Sequence, residues 1–272
     1  MTLEVLISCM HQSDTSIAER TGCKSDVLII NQSDKDGYEE KYVDGHKIRM
    51  FTVAQRGLSR SRNMALINAK GDICLISDDD SHLVDNYDRI IVEAFKRMPE
   101  ADIVAFNYYE KNCRATRKKY IKEEKKAPYF RSFTSGCLAF KRESILGNNV
   151  FFDLRIGAGS GIISAGEESA WQYFARKKKL KIYQCPEFIT EMDQSDSTWF
   201  SGYNEQYFYD LGANLSYKYG WLKYLYMLYY PYRLRKDETI PVFAQIKWMF
   251  KGIAGFKKGM GYKQYINEYG NK

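Results

Sequence analysis

The sequence predicts an α/β protein with a mostly parallel sheet and helices on both faces. Three observations carry this. Short apolar runs at 3–9, 27–31, 73–77 and 103–107 are bounded by polar residues, the pattern of strands buried on both faces. Helical patterns at 59–69 and 84–98 lie between some of them. The connections are short, and such alternation produces parallel sheets.

Each element has its own signal. Residues 3–9 and 27–31 are the first two strands, and 47–53 is a weaker third. The helix at 59–69 places Leu58, Ala65, Leu66 and Ala69 on one side and stops at Gly71. A fourth strand follows at 72–77. The helix at 84–98 is closed by Pro99, and 103–107 is the fifth strand. Lysine and arginine accumulate over 110–126, which reads as a surface excursion. Strand character resumes at 137–140. Gly157, Gly159, Gly161 and Gly166 mark a flexible loop over 155–168, of the kind that orders over a substrate. It lacks the flanking strand and helix of a dinucleotide fingerprint. A helix at 169–176 and a strand at 181–185, ending at Pro186, complete this part. Beyond residue 199 the chain is helical and crowded with aromatics, and no internal repeat of fixed period is visible. The expected division is a catalytic domain at 1–199 and a helical extension at 200–272.

Length and composition exclude several classes. A chain of 272 residues, 44% apolar, can bury a large core and is not disordered. Cys9, Cys23, Cys74, Cys113, Cys137 and Cys185 show no zinc or redox spacing. Cys9 and Cys74 lie in apolar runs, as buried thiols in a reducing cytosol would. The first residues lack the features of a signal peptide. No stretch approaches the roughly 20 apolar residues of a membrane span.

The sharpest chemical signal is Asp78-Asp79-Asp80, directly after the fourth strand. Ligands of open α/β sheets bind past the carboxyl ends of strands. Three adjacent carboxylates repel one another unless a cation is present. A hard divalent ion, completed by substrate phosphates, fits such a group. The plainer alternative is an acidic helix start. It needs one such residue rather than three.

Several segments, in order, resemble the family 2 glycosyltransferases. Leu6-Ile7-Ser8-Cys9-Met10-His11 takes the place of the family's first nucleotide-binding strand. Ile29-Ile30-Asn31-Gln32-Ser33-Asp34 resembles the end of its second. Gly57-Leu58-Ser59-Arg60-Ser61-Arg62-Asn63 is similar to its Gly…Ala-Arg-Asn segment. Leu75-Ile76-Ser77-Asp78-Asp79-Asp80 resembles its metal-binding acidic motif, and Gly166-Glu167-Glu168 its acceptor-side Glu-Asp pair. The resemblance runs from residue 3 to about residue 193. It implies the GT-A fold, a Rossmann-like nucleotide-diphospho-sugar transferase sheet.

By that resemblance Met10, His11, Asn31 and Gln32 hold the base and ribose, with amides where the family usually has acids. Arg56, Arg60 and Arg62 are candidates for the diphosphate, one of the three being expected to act. Asp78 serves both donor and metal, with Asp79 and Asp80 as further ligands of Mn²⁺ or Mg²⁺. Glu168, beside Glu167, takes the place of the catalytic base, a glutamate for the commoner aspartate. Thr134-Ser135-Gly136 lines the sugar pocket or is a plain turn. His82 is a helix-start residue in the plainer reading. Glu191 or Asp193 could replace the family's late histidine ligand.

The charge is uneven. Residues 200–272 hold 11 Lys/Arg against 5 Asp/Glu and 20 of the chain's 41 aromatics, while 1–199 hold 30 against 29. Tyrosine, tryptophan and lysine together suit the headgroup region of an anionic membrane. About half of these aromatics are expected to pack the extension itself. No module for nucleic acid is present.

The expected function is therefore an inverting, metal-dependent glycosyltransferase. It would move a hexosyl or N-acetylhexosaminyl group from a UDP-sugar to a glycan acceptor, lipid-linked, in surface polysaccharide or capsule assembly. Its expected place is the cytoplasm, peripheral on the inner face of the cell membrane. The extension would dock on that membrane or mediate oligomerisation. Two alternatives stand beside this. A sugar nucleotidyltransferase would need a glycine-rich basic loop near the first strand, and 8–17 has none. A non-catalytic nucleotide- or glycan-binding protein would not need the intact acidic triplet and Glu168.

Overall fold

The computed structural model describes residues 1–111, 120–193, 202–235, 237 and 239–270. The chain forms two compact units: Met1–Phe152 with Trp171–Ser197, and Asp153–Ala170 with Thr198–Lys272.

In the first unit, β1 (Leu3–Met10), β2 (Asp26–Gln32), β4 (His46–Val53) and β5 (Ile73–Asp78) are parallel. Along the chain α1 (Ile17–Arg20) lies between β1 and β2, β3 (Gly37–Val43) between β2 and β4, and α2 (Leu58–Asn68) between β4 and β5. Then come β6 (Ser81–Leu83), α3 (Tyr87–Arg97), β7 (Ile103–Lys111), β8 (Lys125–Lys126), β9 (Leu138–Lys141) and α4 (Arg142–Gly147). Helix α5 (Glu167–Lys177) and β10 (Ile182–Asp193) end the series. The sheet order is β3-β4-β2-β1-β5-β9-β7-β10-β6, with β8 against β10. Only β3, β6, β8 and β9 run antiparallel to their neighbours.

The continuous apolar runs arise because the sheet is buried on both faces. Val5, Ile7, Val27, Ile29, Ile73, Leu75, Val104 and Phe106 enter one core, with Ile91 and Phe95 of α3. The alternate residues Leu6, Leu28, Ile30, Cys74, Ile76, Ile103 and Ala105 enter the other, with Ala65, Leu66 and Trp171. A strand in the middle of the sheet is therefore apolar over most of its length.

Two elements differ from expectation. The helix expected at 84–98 begins only at Tyr87, because the Val84 amide still donates to the Ile189 carbonyl at 3.1 Å and Asn86 takes a left-handed backbone, φ 61°; before them Ser81, His82 and Leu83 form β6 against Met192, Glu191 and Thr190. Three residues cannot announce a strand by periodicity. The polar strand β3 was not anticipated, since it lies at the sheet edge and is mostly exposed. Its hairpin had a signal, Asp44-Gly45, where both residues adopt positive φ (49° and 81°). Of the surface excursion, 112–119 lie outside the described residues, as does Cys113. The other five cysteines are free.

The second unit contains α6 (Glu205–Tyr219), α7 (Lys223–Arg233), α8 (Val242–Lys257) and α9 (Tyr262–Tyr269). Phe208, Tyr209, Leu215, Met227, Trp248 and Met249 form its core. The unit also takes in 153–170, which the sequence reading put in the catalytic domain. The reason is packing: Ile156, Ile163 and Ala170 are buried with Ala213 of α6. The glycine-rich loop is pinned by this, and the Ile163 amide donates to the Arg155 carbonyl at 3.0 Å. No helix among the described residues is long and apolar enough to cross a membrane.

Candidate functional site

The sheet order turns back at β1: β2 lies on one side of it and β5 on the other. At such a switch the strand ends leave a crevice. The register sets Met10 beside Gln32, Cys9 beside Asn31 and Ser8 beside Asp78. Most of the sequence-derived donor residues thus reach one sheet edge.

Their side chains divide into two groups. Asn31 is fully buried, and Gln12 uses both ends of its amide: Oδ1 accepts from the Gln12 amide at 2.9 Å, and Nδ2 donates to the Gln12 carbonyl at 2.8 Å. Asn31 therefore shapes the loop after β1. Gln32 is buried too, but its Oε1 has no partner among the described residues. A buried, unmatched acceptor at a strand end is costly unless a ligand completes it. His11 takes a left-handed backbone, φ 52°, and its amide donates to the Gln32 carbonyl at 3.0 Å. Both His11 and Met10 are exposed.

The three arginines also separate. Arg56 binds Asp34 at 2.5 Å and is exposed. Arg60, in the first turn of α2, is exposed and forms no ion pair among the described residues. Arg62 is only 3% exposed and donates to Asp78 Oδ1 at 3.0 Å. Ser61 Oγ donates to Ser8 Oγ at 2.8 Å, which seats α2 over the end of β1.

Asp78 is thus committed. Besides Arg62, it accepts from Ser135 Oγ at 2.8 Å. Ser135 opens a 3-10 turn, so the Thr134-Ser135-Gly136 segment is a turn whose serine holds the triplet. A Cβ on Gly136 would lie 2.5 Å from the Met192 methyl group, so the flexible end of that side chain would have to move.

Asp79 and Asp80 occupy the exposed turn between β5 and β6 and form no ion pair among the described residues. Burial, then the charges of Asp78 and Asp79, push Asp80 up to about 6. Burial and Asp78 raise Asp79, while Arg20 pulls it back. Carboxylates crowded in this way bind protons readily and would bind a divalent cation for the same reason. The donor set thus fits the expected metal through Asp79 and Asp80. Asp78 differs from these two in facing a buried guanidinium, that of Arg62. Ser81 Oγ, next in sequence, is buried without a partner.

His82 opens no helix. It lies in β6 opposite Glu191, and its Nδ1 is 3.1 Å from the Arg20 carbonyl oxygen. Glu191 pairs with Lys111. The side chain of Asp193 lies outside the described residues. Arg20 was missed from sequence, because α1 has only four residues and no pattern. Among the described residues, the one tight convergence of three potential metal-binding side chains is Glu124, Cys185 and Glu187. Arg97 bonds to both of its carboxylates, so a cation already sits there.

Glu167 and Glu168 open α5 in the second unit, after Gly166 at φ +96°. Glu167 is buried, and Glu168 is half-buried. A helix N-terminus favours their charge.

A doubly covered parallel sheet, an acidic turn at its switch point and an arginine-bearing helix above it define a nucleotide-binding α/β transferase fold. Residues 7–156 match the model of glycosyl transferase family 2, and the chain belongs to that family: it is a glycosyltransferase. The fold is similar to crystal structures of S. aureus TarS. The TarS 1–349 complex with UDP-GlcNAc matches with a TM-score of 0.58 at 11% identity, covering 99% of this chain and 76% of that one. TarS 1–349 alone gives 0.57 at 11%, covering 96% and 93%. Against a longer TarS chain the TM-score is 0.57 at 11% identity, and 97% of this chain spans 44% of that one. No curated protein sequence matches the chain.

Proposed function

We propose that the protein is an inverting, metal-dependent transferase that moves a sugar from a UDP-sugar to a glycan acceptor. The buried Gln32 Oε1, without a partner among the described residues, at the strand ends where Asp79 and Asp80 form no ion pair among those residues, carries this reading. A neutral amide oxygen can accept from the imide N–H of uracil. TarS, of the same fold, is seen with UDP-GlcNAc and with UDP. Of the three arginines, Arg60 is exposed and forms no ion pair among the described residues, so it is assigned to the diphosphate. Arg62 holds Asp78 in place.

Asp79 and Asp80 would hold Mn²⁺ or Mg²⁺, which supplies charge neutralisation to the departing diphosphate. Glu168 takes the proton of an acceptor hydroxyl as its oxygen bonds to the anomeric carbon. The bond from that carbon to the diphosphate oxygen breaks, and UDP leaves with the electron pair. Manganese-dependent thermal shift with a panel of UDP-sugars tests this reading. At least one should stabilise the protein and be slowly hydrolysed. If none stabilises it, with or without metal, the donor assignment falls.

The acceptor is proposed to be lipid-linked, at the inner face of an anionic membrane, in surface polysaccharide assembly. The support is a ridge on the second unit. Trp221, Leu225, Leu228 and Tyr232, at spacings of four, three and four, are 71%, 56%, 67% and 63% exposed. Tyr219, Tyr226 and Tyr230 pack inward instead. Arg235 lies over Tyr232 at 4.0 Å and Lys223 over Tyr224 at 4.7 Å, so cations flank the ridge. The protein should bind vesicles containing anionic lipid and leave them as salt rises. Binding that is absent, or equal on neutral vesicles, would return the ridge to some other contact.

A further inference from the structure

The second unit contains a cavity of about 240 Å³ that the reaction above does not use. Its wall is a polar stripe on α6 facing residues 164–169. Asp210, Asn214 and Lys218 succeed one another at intervals of four, so they share one helix face. Opposite them lie Ser164 and Ser169, and Tyr207 adds an aromatic wall.

The stripe is unevenly satisfied. Asp210 accepts from the Ser164 amide at 3.1 Å and also from its hydroxyl. Asn214 is 7% exposed, and its Nδ2 donates to the Ala165 carbonyl at 2.8 Å. Its Oδ1 has no partner among the described residues. The Lys218 ammonium donates to Ser169 Oγ at 3.0 Å, and that hydroxyl donates onward to the Gly166 carbonyl at 2.9 Å. Lys218 makes no ion pair among the described residues, and burial lowers it to about 8. Asp210 does not serve as its counter-ion. Eight residues of helix put them roughly 12 Å apart along the axis.

A half-buried cation without a carboxylate and a buried acceptor without a donor are both costly alone. A single ligand could complete both, given an acidic group and a neighbouring hydroxyl. The cavity also shares the segment 164–169 with Glu168. Gly166 is needed there, since a Cβ would stand 2.8 Å from Asn214 Nδ2.

We propose that this cavity is an acceptor subsite: Lys218 holds an acidic group of the acceptor, phosphate or carboxylate, and Asn214 Oδ1 accepts from an adjacent hydroxyl. The proposal rests on Glu168 as the acceptor base. It makes the acceptor an acidic glycan or a polyol phosphate rather than a neutral sugar.

Binding of small probes to the full chain tests it, by calorimetry or saturation-transfer NMR. The probes are glycerol 3-phosphate and glucuronate, with glycerol and glucose as neutral counterparts. At least one acidic probe should bind about tenfold or more tightly than its counterpart, as a charge-assisted contact requires. Which acid binds better identifies phosphate or carboxylate as the source. Lys218→Met should abolish the preference and Lys218→Arg keep it, with both variants checked for native circular dichroism. Equal binding of acid and neutral probes, binding of neither acid, or a preference that survives Lys218→Met overturns the subsite. UDP binding measured on the same wild-type sample separates the two ideas. If UDP binds and the acids do not, only the subsite fails. If UDP does not bind, the donor reading fails independently.

Discussion

Glu168→Gln should lower sugar transfer by a factor of about 10² to 10⁴, the usual contribution of a positioned general base. The substitution keeps length and shape, removes the proton acceptor, and leaves a polar residue in the first turn of α5. UDP affinity should stay within about twofold, since in this reading Glu168 serves the acceptor hydroxyl and the substitution removes only a proton acceptor. Steady-state transfer and calorimetry with UDP provide the two readouts. A variant with near-normal turnover would remove Glu168 as the base and shift attention to Glu167. Loss of UDP binding together with transfer would instead indicate structural damage.

The largest stability effect is expected at the crossing of α6 and α8. A Cβ on Gly252 would lie 1.9 Å from the Tyr209 carbonyl oxygen, and one on Gly212 would lie 2.1 Å from that of Met249. The contacts are reciprocal, with residues 209 and 212 of one helix on 252 and 249 of the other. In both cases the obstacle is backbone, which can yield only if the helices separate. Gly→Ala inside an exposed helix ordinarily stabilises by about 0.5–1 kcal/mol. Here the sign should reverse. Gly252→Ala should cost about 3 kcal/mol or more, at the upper end of overpacking effects. Urea unfolding would show it as a lower midpoint. A midpoint equal to or above wild type would mean that the two helices do not meet as described.

Much of the first unit was legible because a sheet covered on both faces asks for nearly continuous apolar runs in its central strands. The strands ending at Met10, Gln32 and Asp78 announced themselves that way, and so did the polar residues just beyond them. The edge strand β3 carries no such demand, and β6 is too short for any period. The extension's aromatic residues were visible, but their division was not. Helical geometry turns Tyr226 and Tyr230 inward and Leu225 and Leu228 outward, and only the packed partner helices show which side is which.

The sequence alone determined the fold class, the family, the acidic turn after β5 and the glutamates opening α5. These depend on local order along the chain, which periodicity and motif spacing report. The tertiary structure decided how the charges and amides are used. Asp78 and Arg62 are 16 residues apart, Asn31 and Gln12 are 19, and Lys218 and Ser169 are 49. A polar group's role depends on whether a distant partner already satisfies it. That is why Asp78 and Asn31 are tied to Arg62 and Gln12, while Gln32 Oε1 has no partner among the described residues and Lys218 lines a cavity.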